Sequence, residues 1–151
     1  MFETHLHPFL SSFPFVLITL ALVAEIYAAF RPERGLNRYV FLHLLLAVVM
    51  IIAAFLSGYI AAPEAQRVLG RSEQEISFHH LWGKGVLILS IGALALQWIS
   101  ARARFNKTVF SLFFRVVLLI LWILTIYTGY FGGEMLLTKP HNEQLLPINE
   151  G

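Results

Sequence analysis

Four long apolar stretches, 8–30, 39–62, 79–99 and 108–131, dominate this chain of 151 residues. Each can cross a hydrocarbon core of about 30 Å at about 1.5 Å per helical residue. Backbone N–H and C=O groups in lipid must find partners within their own segment, so spans of this composition are helices. The expected fold is an all-α integral membrane protein, a four-transmembrane-helix bundle in which 1–151 form a single domain. A charged loop at 63–78, expected to hold a short helix at the surface, joins the second and third spans, and a tail at 134–151 follows the fourth. The mean hydropathy of +0.71 fits a protein whose main partner is the lipid bilayer. With no phosphate loop, nucleophile–base pair or basic stripe in view, neither an independent enzymatic activity nor a nucleic-acid partner is expected.

Counting crossings places the start of the first and third spans and the end of the second and fourth on one membrane face. His5, His7, His79, His80 and His141, five of the six histidines, fall on that face. The opposite face carries two short basic connections, one with Arg31, Arg34 and Arg38 and one with Arg102, Arg104 and Lys107. An excess of Lys and Arg in short loops marks the cytoplasmic side, so both termini and the histidines are expected in the periplasm of a bacterium, across its inner membrane. The opening residues lack a basic n-region and no A-x-A site follows, so the first span reads as a retained anchor rather than a cleaved signal peptide. Cysteine is absent. Disulfides, thiolate-held iron–sulfur clusters and covalently attached c-type haem are therefore excluded.

Imidazole is the chemistry that remains. His7 and His79, with His80 beside it, head different helices at similar depth, and two neutral imidazoles facing one another across a bundle can hold the iron of a noncovalent b-type haem. Gly83 and Gly85 lie within two turns of His79, and Gly129, Gly132 and Gly133 share that end of the fourth span, so a flat macrocycle could approach the backbone there. The same glycines also suit close helix packing. Tyr59 and Tyr130 cap the second and fourth spans, as interfacial belt anchors or as hydroxyls within reach of a bound group. A weak repeat, Ser57–Ala62 against Thr128–Gly133, together with a histidine at the head of spans one and three, suggests two parallel-repeat helical hairpins. Near the cytoplasmic face, Glu25, His43 and Arg115 sit at comparable depth. An unpaired charge there costs about 2.5–3.5 kcal/mol at a helix centre, so a polar staple of Glu25 with Arg115, His43 alongside, is expected.

Several of these residues together resemble a bacterial membrane-protein family catalogued as domain of unknown function 2231. The family opening H-P-x-L-x-H-F-P is matched by His7-Pro8-Phe9-Leu10-Ser11-Ser12-Phe13-Pro14. His79-His80-Leu81-Trp82-Gly83 keeps the first and last positions of its third-helix H-R-W-L-G. Thr128-Gly129-Tyr130-Phe131-Gly132-Gly133 stands against its closing T-G-H-x-G-G. Ser12 and Tyr130 thus occupy positions where the family pattern has histidine. The resemblance implies a four-helix membrane domain. Family members fused to cytochrome c domains further imply a place in electron transfer with haem b. The leading expectation is a membrane subunit that binds haem through His79 and His7 and exchanges electrons with a periplasmic cytochrome, another membrane subunit or a quinone. The second is a cofactor-free structural subunit of a larger respiratory or photosynthetic complex. The third is copper or zinc handling by the clustered histidines.

Overall fold

The computed structural model describes residues 3–31, 35–102 and 107–137, the side chains of residues 3–5 and 107 excepted. Among them are four helices, α1 (Glu3–Phe30), α2 (Leu36–Leu69), α3 (Glu73–Arg102) and α4 (Lys107–Leu137). All four are long and apolar enough to cross a membrane, with window hydropathies from 1.5 to 2.8, and the protein is a multi-pass membrane bundle. α1 packs on α2 and α4, and α3 packs on the same two helices. The helices therefore stand in a ring in chain order, with α1 facing α3 across one diagonal. Below, the end that holds His7 and His79 is the histidine end, and the end of the two basic connections is the arginine end. His141, the tail beyond Leu137 and the side chain of His5 lie outside the described residues.

One spacing organises all four helices. On α2 the buried residues Val40, Leu44, Ala47, Ile51, Ala54, Gly58 and Ala61 alternate steps of four and three. The same rhythm runs through Pro14, Ile18, Ala21 and Glu25 on α1, through Val86, Ser90, Ala93 and Gln97 on α3, and through Phe114, Leu118, Leu121 and Thr125 on α4. A 3.5-residue repeat keeps one seam of each helix facing its partners. Carried on toward the histidine end, the rhythm reaches Ser11 and His7 on α1, Gly83 and His79 on α3, and Thr128 and Gly132 on α4. The two histidines are thus seam residues that project inward. The large seam side chains Ile18, Leu44, Phe114 and Leu118 stand in the arginine half beside smaller ones such as Ala47 and Ala93, whereas the histidine half presents Ala54, Gly58, Gly83 and Gly132. The bundle is filled at one end and hollow at the other.

The structure corrects the reading of 63–78 as a loop with its own surface helix. α2 runs on to Leu69 and α3 begins at Glu73, leaving a connection of only Gly70, Arg71 and Ser72. Gly70 adopts φ 62°, a left-handed conformation suited to glycine, and its N–H turns back to the Ala65 carbonyl. Ser72 then starts α3 with a capping box. Glu75 Oε2 accepts from Ser72 N–H at 2.9 Å and from Ser72 Oγ at 2.8 Å, and Glu75 N–H donates to Ser72 Oγ at 3.2 Å. The charges of this segment therefore belong to two helix ends. α1 likewise begins at Glu3 rather than near Pro8, and it passes through Pro8 and Pro14 as one helix.

Lipid tails are as apolar as leucine, so association within a bilayer relies on packing and on polar links between helices. Arg115 Nε donates to Glu25 Oε1 at 2.9 Å, tying α4 to α1 as the cost of lone charges demands. Trp122 Nε1 donates to Thr19 Oγ1 at 3.0 Å across the same interface. Gln97 Nε2 reaches the Asn37 carbonyl at 3.4 Å and links α3 to α2. His43 does not join the Glu25–Arg115 pair. Its Nδ1–H donates to the Tyr39 carbonyl of its own helix at 2.8 Å, and its ring stacks on Tyr39. Matching depth placed these three residues together, but an i−4 carbonyl lies closer to His43 than any neighbouring helix.

Candidate functional site

A cavity of about 680 Å³ occupies the hollow half of the bundle, with walls drawn from all four helices. That volume falls in the range of small-molecule and cofactor pockets. His7, His79 and His80 line it together with mostly apolar side chains and the hydroxyls of Ser11, Ser12, Thr125 and Thr128. Arg71, in the α2–α3 connection, supplies the formal charge of the wall, and no described lining residue is acidic.

His7 of α1 and His79 of α3 meet across the diagonal with ring centroids 6.0 Å apart and planes at 86°. His7 Nδ1 lies 2.9 Å from the Ala54 carbonyl and 3.1 Å from Ser57 Oγ, and Ser57 itself donates to Ala54. A carbonyl can only accept, so Nδ1 carries the proton and a neutral His7 keeps its lone pair on Nε2. Metal-binding histidines are typically held this way, with the spare N–H on a backbone carbonyl. His79 is less provided for. Its Nδ1 is buried without a hydrogen-bond partner among the described residues. An unsatisfied polar atom in an apolar wall costs about 1–3 kcal/mol, a penalty that a ligand could relieve.

Two glycines shape this arrangement. A Cβ on Gly58 would sit 3.0 Å from His7 Cε1, and one on Gly132 would sit 2.9 Å from His79 Cε1. Each imidazole therefore lies against the bare backbone of the next helix in its hairpin, so the two hairpins use the same device. The sequence repeat aligns Gly58 with Gly129, whereas the structure uses Gly132, one turn further along the same face. Gly129, Gly132, Gly133, Gly83 and Tyr130 all line the cavity. Gly85 does not. Its open side faces Leu124 at 3.6 Å, which makes it a packing glycine. Nor does Tyr59 line the cavity; its ring stacks on that of His80 at 4.4 Å. The sequence reading missed Ala54, Ser57 and Gly58, although the position of Gly58 on the small-residue side of α2 could have signalled its role.

The glycine contacts give a prediction with a sign. Gly→Ala inside a helix ordinarily stabilises by about 0.5–1 kcal/mol. Gly129→Ala, where an added Cβ meets nothing within 4 Å, should show that gain. Gly132→Ala must instead displace the His79 ring and should lose about 1–3 kcal/mol. Thermal unfolding of the two variants in one detergent checks this, and equal midpoints would show that the ring is not seated against Gly132.

The family model described as predicted membrane protein (DUF2231) matches residues 3–140. The chain belongs to the DUF2231 family. No curated protein and no solved structure matches it. In this DUF2231 chain the opening motif sets His7 and Pro14 on the α1 seam, and the closing motif brings Gly132 against His79. Ser12 and Tyr130, where the family pattern has histidine, both line the cavity, and both are exposed at its α1 and α4 edges. Among the described residues, no three His, Asp or Glu side chains converge as a metal-ion site would require. What the described residues offer is a pair of facing imidazoles, fewer than the three or four ligands that a copper or zinc site draws from protein.

Proposed function

We propose that this protein is an electron-transfer subunit in which His7 and His79 would hold one b-type haem in the cavity. The observation that carries the reading is the His7 Nδ1–H bond to the Ala54 carbonyl, which commits the other nitrogen of a neutral ring to act as a Lewis base. A bound haem supplies one-electron transfer. The protein's part is to fix two imidazoles on opposite helices and to exclude water with apolar walls. The electron partners would be a periplasmic cytochrome, another membrane subunit or a quinone. The test is a reduced-minus-oxidised visible spectrum of the protein purified after expression with ample haem. A sharp low-spin α-band is expected. Colourless protein would replace this reading with that of a structural subunit.

The proposed orientation puts the histidine end in the periplasm of a bacterial inner membrane, on the strength of the basic connections at the other end. The native chain has no cysteine, so single-cysteine reporters are free of background. On intact cells, Gln66→Cys should label with an impermeant thiol reagent and Gly35→Cys should not, since both positions are exposed at opposite ends. Labelling at Gly35 alone would reverse the orientation.

A further inference from the structure

We infer that the cavity is filled sideways from the bilayer, through an opening between α1 and α4, and that its ligand is drawn from the lipid rather than from water. The inference rests on the haem reading and adds to it the route and source of the group. A side chain that lines a cavity and is also exposed outward marks where that cavity opens. Phe15 and Val16 on α1, and Ile126 and Tyr130 on α4, do both. Around the α2–α3 turn the lining residues Arg71, Ile76 and Ala61 are buried, while Leu136, two turns beyond Gly129 on the same face of α4, lines the cavity and is exposed, so the opening follows the α4 edge. Phe15 lies seven residues beyond Pro8, and Ile126 five before Phe131, or about 10 Å and about 7.5 Å along their helices. These depths put Phe15 and Ile126 within the hydrocarbon, with Tyr130 at its outer edge. The links that tie α1 to α4, Glu25–Arg115 and Trp122–Thr19, lie below the opening toward the arginine end.

Gly129 keeps the opening clear. It is exposed, it lines the cavity, and a Cβ added there would meet nothing within 4 Å. The ligand suited to such an opening has a broad apolar body that partitions into membranes, and haem is of that class.

The experiment uses haem-free protein in phosphatidylcholine vesicles that already contain dissolved hemin, and follows the growth of the bound-haem absorbance. Gly129→Phe places a ring in the opening and should slow uptake about ten-fold. Tyr130→Ala removes an exposed lip and should speed it. Gly92→Phe, at another open glycine that does not line the cavity, should match the wild type. Release of haem to apomyoglobin should slow in Gly129→Phe as uptake does. Wild-type rates in both Gly129→Phe and Tyr130→Ala would overturn the lateral route while leaving the haem reading intact. If Gly129→Phe takes up no haem, Tyr130→Ala decides, with faster uptake upholding the route and an unchanged rate overturning it. A wild-type protein that never develops the absorbance overturns the haem reading itself, a result distinct from equal rates.

Discussion

Replacing His79 by alanine is expected to abolish the low-spin α-band of the reduced protein. Two imidazoles saturate the axial positions of a haem iron, and removing one opens a position that water fills only weakly, so the iron turns high-spin or the haem is lost. His7→Ala should do the same. Its partner contacts make it the better oriented of the two imidazoles, because Ala54 and Ser57 both hold Nδ1. His80→Ala should keep the band, since that ring is stacked on Tyr59. His43→Ala, at the arginine end, should leave the spectrum untouched. An α-band that survives His79→Ala but disappears in His80→Ala would move the axial position to His80 and unseat the assignment.

The second large effect concerns the polar link at the other end. Glu25 is only 4% exposed, so Arg115→Leu strands a carboxylate in a nearly closed site. Breaking a buried pair from one side costs about 3–5 kcal/mol. The side chain of Arg115 is 40% exposed, which moves the expected loss to the low end, about 3 kcal/mol. The double change Glu25→Leu with Arg115→Leu removes both charges and should recover most of that loss. Thermal unfolding in a single detergent measures both variants. Losses that simply add would mean that the two side chains are not coupled.

The helices and the histidine end were readable because twenty or so apolar residues in a row admit few alternatives in lipid. The Glu25–Arg115 pair was readable for a related reason, since two opposite charges at one depth have little else to bind. The seam was harder to see. In a water-soluble bundle an inward stripe stands out as apolar against a polar surface, whereas here the outward faces, with Phe9, Val23, Ile88 and Ile123, are as apolar as the inward ones. What marks the interior is small or polar side chains, Ser90, Ala93 and Gln97 on α3 for example, at steps of three and four. The segment 63–78 was misread because its charges suggested a loop, yet a helix that rises out of a membrane must also change to polar residues. The pattern Ser72-x-x-Glu75 was the available sign of a helix start. The corrections at Gly85, Tyr59 and His43 share one cause. Residues at one depth can point to different sides of a helix, and only the seam rhythm separates them.

The seating of His7 and His79 against Gly58 and Gly132 has a consequence for affinity. A free imidazole on a helix samples several rotamers, and a ligand that captures it must oppose that freedom. Immobilising a side chain on binding costs about 0.5–1.5 kcal/mol. Here each ring rests against bare backbone, and His7 is also pinned by two acceptors, so much of that ordering has already taken place during folding. Whatever binds between the rings meets a site close to its final shape. The glycines thus act on the entropy of binding without touching the ligand, and substitutions at Gly58 should be felt in binding even where the fold survives them.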